Sequence, residues 1–179
     1  MSRVRIVGGA WRSRLIEVVD APGLRPTPDR VRETLFNWLG QSLDGLACLD
    51  LFAGTGILGF EAASRGAASV TLVERDARVF AALRRNAATL AAQVELVRGD
   101  AVEFLPSASR QFDVVFVDPP YRQGLIERVL PLLDRVTRPG ARLYAEAEAP
   151  IAAPEGWRTL KNGRAGQVHY HLLERNEAS

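Results

Sequence analysis

The chain has 179 residues, 47% hydrophobic and 25% charged, which excludes wholesale disorder. One cysteine, Cys48, excludes an intrachain disulfide, and with only two histidines beside it the common zinc clusters are excluded too. The net charge of +2 is unevenly placed, with seven arginines against three acids in residues 1–32, a bias that points to a polyanionic partner.

Two short alternating runs, VRIVGG and RSRLIEVV, flank Gly8-Gly9 and predict a β-hairpin with most of its arginines on the polar face. A proline-rich loop, APGLRPTP, leads into the first helix. Thr27 is a suitable N-cap for it and Pro28 a suitable first residue. Val31, Leu35, Trp38 and Leu39 give this helix one apolar face, and Gly40 ends it. From residue 46 strands and helices alternate. LACLDL, SVTLV, VELV and FDVVFV are apolar almost throughout, as strands buried on both faces are. The longest helix, residues 76–92, sets Val79, Phe80, Leu83, Ala87 and Leu90 on one face. A helix at 124–134, a strand ARLYAE, and a hairpin of WRTLK and QVHYHLL turning at Asn162-Gly163 complete the series.

The expected architecture is α/β: an open, mostly parallel Rossmann-like sheet with helices on both faces, a C-terminal antiparallel hairpin and a small N-terminal β-hairpin. Residues 1–26 read as a basic extension, and 27–179 as the main domain. No apolar run approaches the ~20 residues that span a bilayer, and the N-terminus lacks the apolar stretch of a signal peptide. A cytoplasmic monomer without membrane or metal partners is expected. Cys48, Trp38, Trp157, His169 and His171 read as structural, while Trp11 could stack on a nucleic-acid base.

Ligands of such sheets bind at the carboxyl ends of the strands, near the reversal of strand order, and every motif here falls at a predicted strand end. After LACLDL comes FAGTGILG, in which Gly54, Gly56 and Gly59 fit G-x-G-x-x-G between a strand and a helix. Glu74 lies 20 residues beyond Gly54, which completes a nucleotide-cofactor fingerprint and places a carboxylate where ribose hydroxyls can be held. Asp50 argues against a pyrophosphate, because like charges repel strongly where water is scarce. It favours a cationic ligand such as S-adenosylmethionine, and it could also cap the loop amides. A nicotinamide-dependent oxidoreductase is the alternative raised by the literal glycine pattern. Asp100, in RGDA, can cap a helix beginning near Ala101, accept from an adenine amino group, or do both.

FDVVFVDPPY ends the fourth strand with Asp118, Pro119, Pro120 and Tyr121. Two prolines stiffen this segment and remove two backbone donors. An exocyclic amino group of a base is a poor nucleophile, because its lone pair is delocalised into the ring. The Asp118 carboxylate and the Pro119 carbonyl could hold both its N–H bonds and draw the nitrogen toward a pyramidal shape, with Tyr121 as a stacking face for an extruded base. Methyl transfer is then governed by positioning. On these residues alone the amine could belong to adenine, cytosine or guanine.

DLFAGTG, VERD, GDA and VDPPY together resemble class I S-adenosylmethionine-dependent methyltransferases acting on amino groups. The front, RIVGGAWRSRLIEVVDAPGLRPTPDRVRETLFNWL, is similar to the RsmD family, and the resemblance runs from about residue 3 to 175. It implies methylation of the N2 amino group of one guanine in small-subunit (16S) ribosomal RNA, within an assembled or assembling subunit. By resemblance, Asp50, Phe52, Gly54 and Gly56, with Ala53 and Thr55 between them, would border the methionine part of the cofactor. Glu74 with Arg75 would hold the ribose, Asp100 with Ala101 the adenine, and Thr27 and Arg30 would close the pocket. Asp118, Pro119, Pro120 and Tyr121 would form the target-amine site, and Arg3, Arg5, Arg12, Arg14 and Arg25 would touch RNA. DNA adenine, a protein amide, and a non-catalytic RNA-binding role are the other readings.

Overall fold

The computed structural model describes residues 2–21, 27–121 and 123–177. Strands β1 (Ser2–Arg5) and β2 (Leu15–Val18) pair antiparallel as a small separate sheet. After them come α1 (Asp29–Leu39), β3 (Ala47–Asp50), α2 (Ile57–Ser64), β4 (Ser69–Glu74), α3 (Ala77–Leu90) and β5 (Glu95–Arg98). The chain continues through α4 (Ala101–Ser107), β6 (Phe112–Val117), α5 (Leu125–Val129), a 3-10 helix (Leu130–Arg135), β7 (Thr137–Ala147), β8 (Trp157–Ala165) and β9 (Val168–Arg175). The main sheet runs β5-β4-β3-β6-β7-β9-β8. Its first five strands are parallel, and β9 is antiparallel to both neighbours. This is the α/β architecture expected from the sequence.

Strands β3, β4 and β6 are apolar because both their faces are covered, whereas β5 is an edge strand and only partly buried, against the full burial that VELV suggests. Cys48, Leu72, Val114 and Phe116 point into one core layer with Leu35, Phe60 and Leu83. Leu49, Val73, Val115 and Val117 alternate into the other with Leu105, Val129 and Leu133. Cys48 is fully buried, and burial pushes its thiol up to about 12, in keeping with a structural role.

Four local expectations are corrected. The front hairpin does not turn tightly at Gly8-Gly9; its strands are joined by residues 6–14, and the Gly8 amide instead donates to Glu61 in α2 at 3.0 Å. Thr27 is not the cap of α1. Pro28 occupies that position without a side-chain bond, and the Thr27 hydroxyl faces Asp118 and Glu146 instead. The single helix expected at 124–134 is α5 followed by a 3-10 turn, broken near Pro131, which has no N–H to continue the α-helical ladder. Asn162-Gly163 lies within β8, and the hairpin turns at residues 166–167. A Cβ on Gly163 would stand 2.6 Å from the Tyr170 ring, itself stacked on Trp38, so this glycine serves close packing and not a turn.

The front hairpin is anchored by buried charge. Ile6 and Ile16 belong to the same core cluster as Phe36 and Phe60. Beneath them Glu61, fully buried, accepts from the amides of Val7 (2.9 Å) and Gly8 (3.0 Å) and pairs with Arg32 and Arg65, each at 3.2 Å. Arg32 also donates to the carbonyls of Thr27 (3.0 Å) and Arg5 (2.6 Å) and pairs with Asp29, while the Arg65 guanidinium lies 4.5 Å from the Phe36 ring centroid. Buried Asn86 of α3 exchanges two 2.9 Å bonds with the Glu17 backbone and donates a third to the Thr55 carbonyl, tying hairpin to glycine loop.

Candidate active site

Strand order reverses between β3 and β6, since the chain leaves β3 toward β4 and β5 but leaves β6 toward β7. Asp50 ends β3 and Asp118 directly follows β6, so parallel pairing brings two carboxylates to the same end of the sheet. Both line a cavity of about 240 Å³ with Thr27, Phe52, Ala53, Gly54, Thr55, Glu74, Pro119, Pro120, Tyr121 and Glu146.

Asp50 is 2% exposed and accepts from the Gly59 amide at 3.1 Å, bonding an amide of the first turn of α2 from the neighbouring strand end. Burial pushes its carboxyl up to about 7; the Gly59 bond resists this, and the charge of Glu74 adds to it. Gly56 starts α2 in the left-handed region (φ 102°), and a Cβ there would stand 2.3 Å from Phe60. It shapes the loop from behind without lining the cavity. Glu74 accepts from the Gly54 amide (3.0 Å) and the Asp76 amide (2.8 Å), so it holds the glycine loop while facing the cavity.

Asp118 is held well above the usual carboxylate range, first by burial and then by the Glu146 charge and a hydrogen bond with Glu146, with Asp50 adding to it. The Thr27 hydroxyl, which resists this shift, lies 3.5 Å from Asp118 Oδ2 and 3.3 Å from Glu146 Oε1. The Tyr144 hydroxyl donates to Glu146 Oε1 at 2.5 Å, and burial among these acids pushes Tyr144 well up, so it stays protonated as a donor. Among the described residues, no ion pair reaches Asp50, Asp118 or Glu146.

A second cavity, of about 410 Å³, adjoins the first through Phe52, Glu74 and Pro120 and is lined by Arg75, Gly99, Asp100 and Ala101. Asp100 caps α4 through the amides of Val102 (2.8 Å) and Glu103 (3.1 Å), with Arg75 3.8 Å away. The predicted cofactor residues are thus gathered into two joined lobes, one acidic and one beside a helix start. Arg30 and Gly56 are the exceptions: Arg30 is exposed on α1, Gly56 stands behind the glycine loop, and neither lines a lobe. Arg3, Arg5, Arg12 and Arg14 are exposed on the front hairpin. Arg5 pairs with Asp29 at 3.1 Å, and Arg14 donates to the Thr89 carbonyl at 2.9 Å. Arg25 lies outside the described residues.

Residues 4–174 match a family model described as "Conserved hypothetical protein 95". A ribosomal RNA small subunit methyltransferase D from Escherichia coli K12 is 45% identical over 179 residues, covering 97% of this chain and 90% of the relative. The chain belongs to the RsmD family of methyltransferases. A Haemophilus influenzae relative of the same name is 44% identical over 180 residues, covering 96% of this chain and 93% of its own. The solved structure of putative methyltransferase yhhF from Escherichia coli superposes with a TM-score of 0.89 at 44% identity, covering 99% of this chain and all of that one.

Sequence reasoning did not single out Glu146 or Asn86 in this RsmD chain. Glu146 stands in ARLYAEAE among acids and alanines, and only the register β6–β7, which sets Val117 opposite Ala145, reveals it as Asp118's lateral neighbour. Asn86 sits on the apolar face of α3 between Leu83 and Leu90, and a polar residue on a buried face was the available signal. Trp11 packs against the core cluster, Trp157 is buried with its indole N–H on Asp134 (2.8 Å), and His171 is buried between the Ile151 amide and the Ala145 carbonyl.

Proposed function

We infer that this protein is an S-adenosylmethionine-dependent methyltransferase that modifies the exocyclic N2 amino group of a guanine in small-subunit (16S) ribosomal RNA, presented in an assembled or assembling subunit. The observation that carries this reading is the acidic cavity at the strand tips, where Asp50, Asp118 and Glu146 meet the rigid Pro119-Pro120-Tyr121 segment without an internal cation among the described residues. A pyrophosphate-bearing dinucleotide is a poor match for that charge. A cationic cofactor is a good one.

The donor set fits S-adenosylmethionine. Asp50 and the glycine loop would hold its aminoacyl end, Glu74 its ribose, and Asp100 with Ala101 its adenine in the second lobe. When bound, the cofactor supplies an electrophilic methyl on a sulfonium. Asp118 and the Pro119 carbonyl would then hold the two N–H bonds of the target amine, and Tyr121 would stack on the extruded base. Asp118 is also placed to accept the proton that the amine must lose, a role supported by its raised proton affinity. Thr27 would shape the wall between cofactor and base. Residues 1–26 would form a basic extension on the class I methyltransferase domain (27–179), with Arg3, Arg5, Arg12, Arg14 and Arg25 meeting phosphates and leaving base selection to the RNA fold. A monomer working in the cytoplasm on ribonucleoprotein fits this reading.

Labelled S-adenosylmethionine incubated with small subunits lacking their native guanine methylations tests it. Label is expected in one guanine of 16S rRNA. Its appearance only in duplex DNA or in protein, or no transfer at all, would overturn the assignment.

A further inference from the structure

Asp118 and its own segment account for the grip on the target amine. They do not explain why a second carboxyl group, Glu146, is built into the same wall. Glu146 is 6% exposed, so its burial is costly and has to be recovered by a partner. Its Oε1 is fixed by two hydroxyls, Tyr144 at 2.5 Å and Thr27 at 3.3 Å, and Thr27 reaches Asp118 as well. Tyr144 is itself fully buried on the same strand, so the carboxyl plane is positioned by rigid neighbours. The two acids flank the Thr27 hydroxyl, which lies 3.5 Å from Asp118 Oδ2 and 3.3 Å from Glu146 Oε1. The arrangement is an edge of acceptors waiting for N–H donors.

The three candidate bases differ along the edge that carries the amine. In adenine the ring nitrogen beside N6 is a bare acceptor, and in cytosine so is the one beside N4. In guanine the neighbour of the N2 amino group on the Watson–Crick edge is N1–H, a donor, with the bare N3 on the other side. Two adjacent acidic acceptors therefore complement guanine and oppose the other two, for which a buried lone pair would face a buried carboxylate. We propose that Glu146 is the guanine-reading residue of this site, accepting N1–H while Asp118 accepts from the N2 amine, with Tyr144 and Thr27 as its positioning residues. The proposal rests on the methyltransferase reading above and adds to it the group that chooses the base.

The test replaces the target guanine, once located by mass mapping, with 2-aminopurine in reconstituted small subunits. This base keeps the amine but presents a bare N1. Wild-type protein is expected to methylate it with a kcat/KM at least about tenfold below that for guanine, since one such hydrogen bond discriminates by roughly that much or more. Glu146→Gln, whose amide can donate to N1, is expected to lose turnover on guanine and bring the two substrates within about threefold, with cofactor affinity unchanged. Tyr144→Phe should lower the guanine preference partway. Equal use of both bases by the wild type, or a wild-type preference retained in Glu146→Gln, would overturn the proposal. If Glu146→Gln does not fold, the wild-type ratio and Tyr144→Phe decide, and an unchanged preference in Tyr144→Phe then counts against it. Transfer to neither RNA would be a different failure, that of the methyltransferase assignment itself.

Discussion

Beneath the N-terminal hairpin, Glu61 is completely buried between Arg32 and Arg65, and both its oxygens also accept backbone amides. At the strand tips, Asp50, Asp118 and Glu146 are gathered at one cavity where, among the described residues, hydroxyls and backbone amides face them and no ion pair does. The first region closes its electrostatic account within the chain. The second leaves it open, and burial beside other acids raises the Asp50 and Asp118 carboxyls above their ordinary range. Removing a partner from a closed cluster strands a buried charge, whereas removing one acid from an open cluster relieves repulsion. Buried charge that the fold has compensated belongs to the scaffold; buried charge that it has not belongs to the ligand.

The sharpest way to break this comparison is to mutate one acid from each region and measure unfolding. Glu61→Ala leaves Arg32 and Arg65 buried without their carboxylate and is expected to cost about 3–5 kcal/mol in urea denaturation, enough to threaten folding. Asp118→Asn and Glu146→Gln are expected to be neutral or stabilising in the free protein. Equal losses at both sites would erase the distinction. Asp118→Ala should nonetheless lower turnover by ~10²–10⁴-fold, the usual range for a positioned acid–base group, while calorimetry finds cofactor affinity nearly unchanged. Retained turnover would show that the amine is held elsewhere.

Asp50 sharpens the comparison through pH. Its carboxyl titrates at about 7 in the free protein against an ordinary value of 3.8. A raised carboxyl favours the neutral form, so its contribution to stability is full at low pH and is lost as pH rises through about 7. A bound cation reverses that preference. Cofactor affinity should therefore climb by up to about tenfold per pH unit below 7 and level off above it, with about one proton released per binding event below that pH. Calorimetry in buffers of different ionisation enthalpy counts the proton, and Asp50→Asn should abolish the dependence. A flat profile in the wild type would mean that Asp50 is a structural cap for α2 and no more.

The scaffold and the open cluster were not equally legible in the sequence. Strands β3, β4 and β6 could be read because both faces of each are covered, leaving an apolar run that needs no context. Asp50, the glycines and Asp118 could be read because each falls where a strand ends. Glu146 could not, since its place beside Asp118 depends on lateral pairing between β6 and β7, which no local pattern encodes. Thr27 was legible as a helix cap by type but is drawn off to the acids by tertiary structure. Asn162-Gly163 has the residues of a hairpin turn, yet Gly163 packs against Tyr170 within β8 and the turn lies four residues on. The closed cluster was legible only in its local pairs, Asp29–Arg32 and Glu61–Arg65; the Arg32–Glu61 link that joins α1 to α2 is encoded by no local pattern.

The front hairpin offers the smallest expected effect and joins the two regions. Its buried side is held by Glu61, while Arg3 and Arg12 stand exposed on it. Arg14 is exposed too but already donates to the Thr89 carbonyl, and Arg5 already pairs with Asp29. Neutralising Arg12 and Arg14 together is expected to weaken RNA binding modestly. It should also reduce the slope of log affinity against log salt by about one for each phosphate that is no longer neutralised. If the structural bond of Arg14 persists in the complex, most of that change will come from Arg12, and the single Arg12→Ala variant will reproduce it. An unchanged slope in both variants would confine the hairpin to the scaffold and shift phosphate binding to another surface.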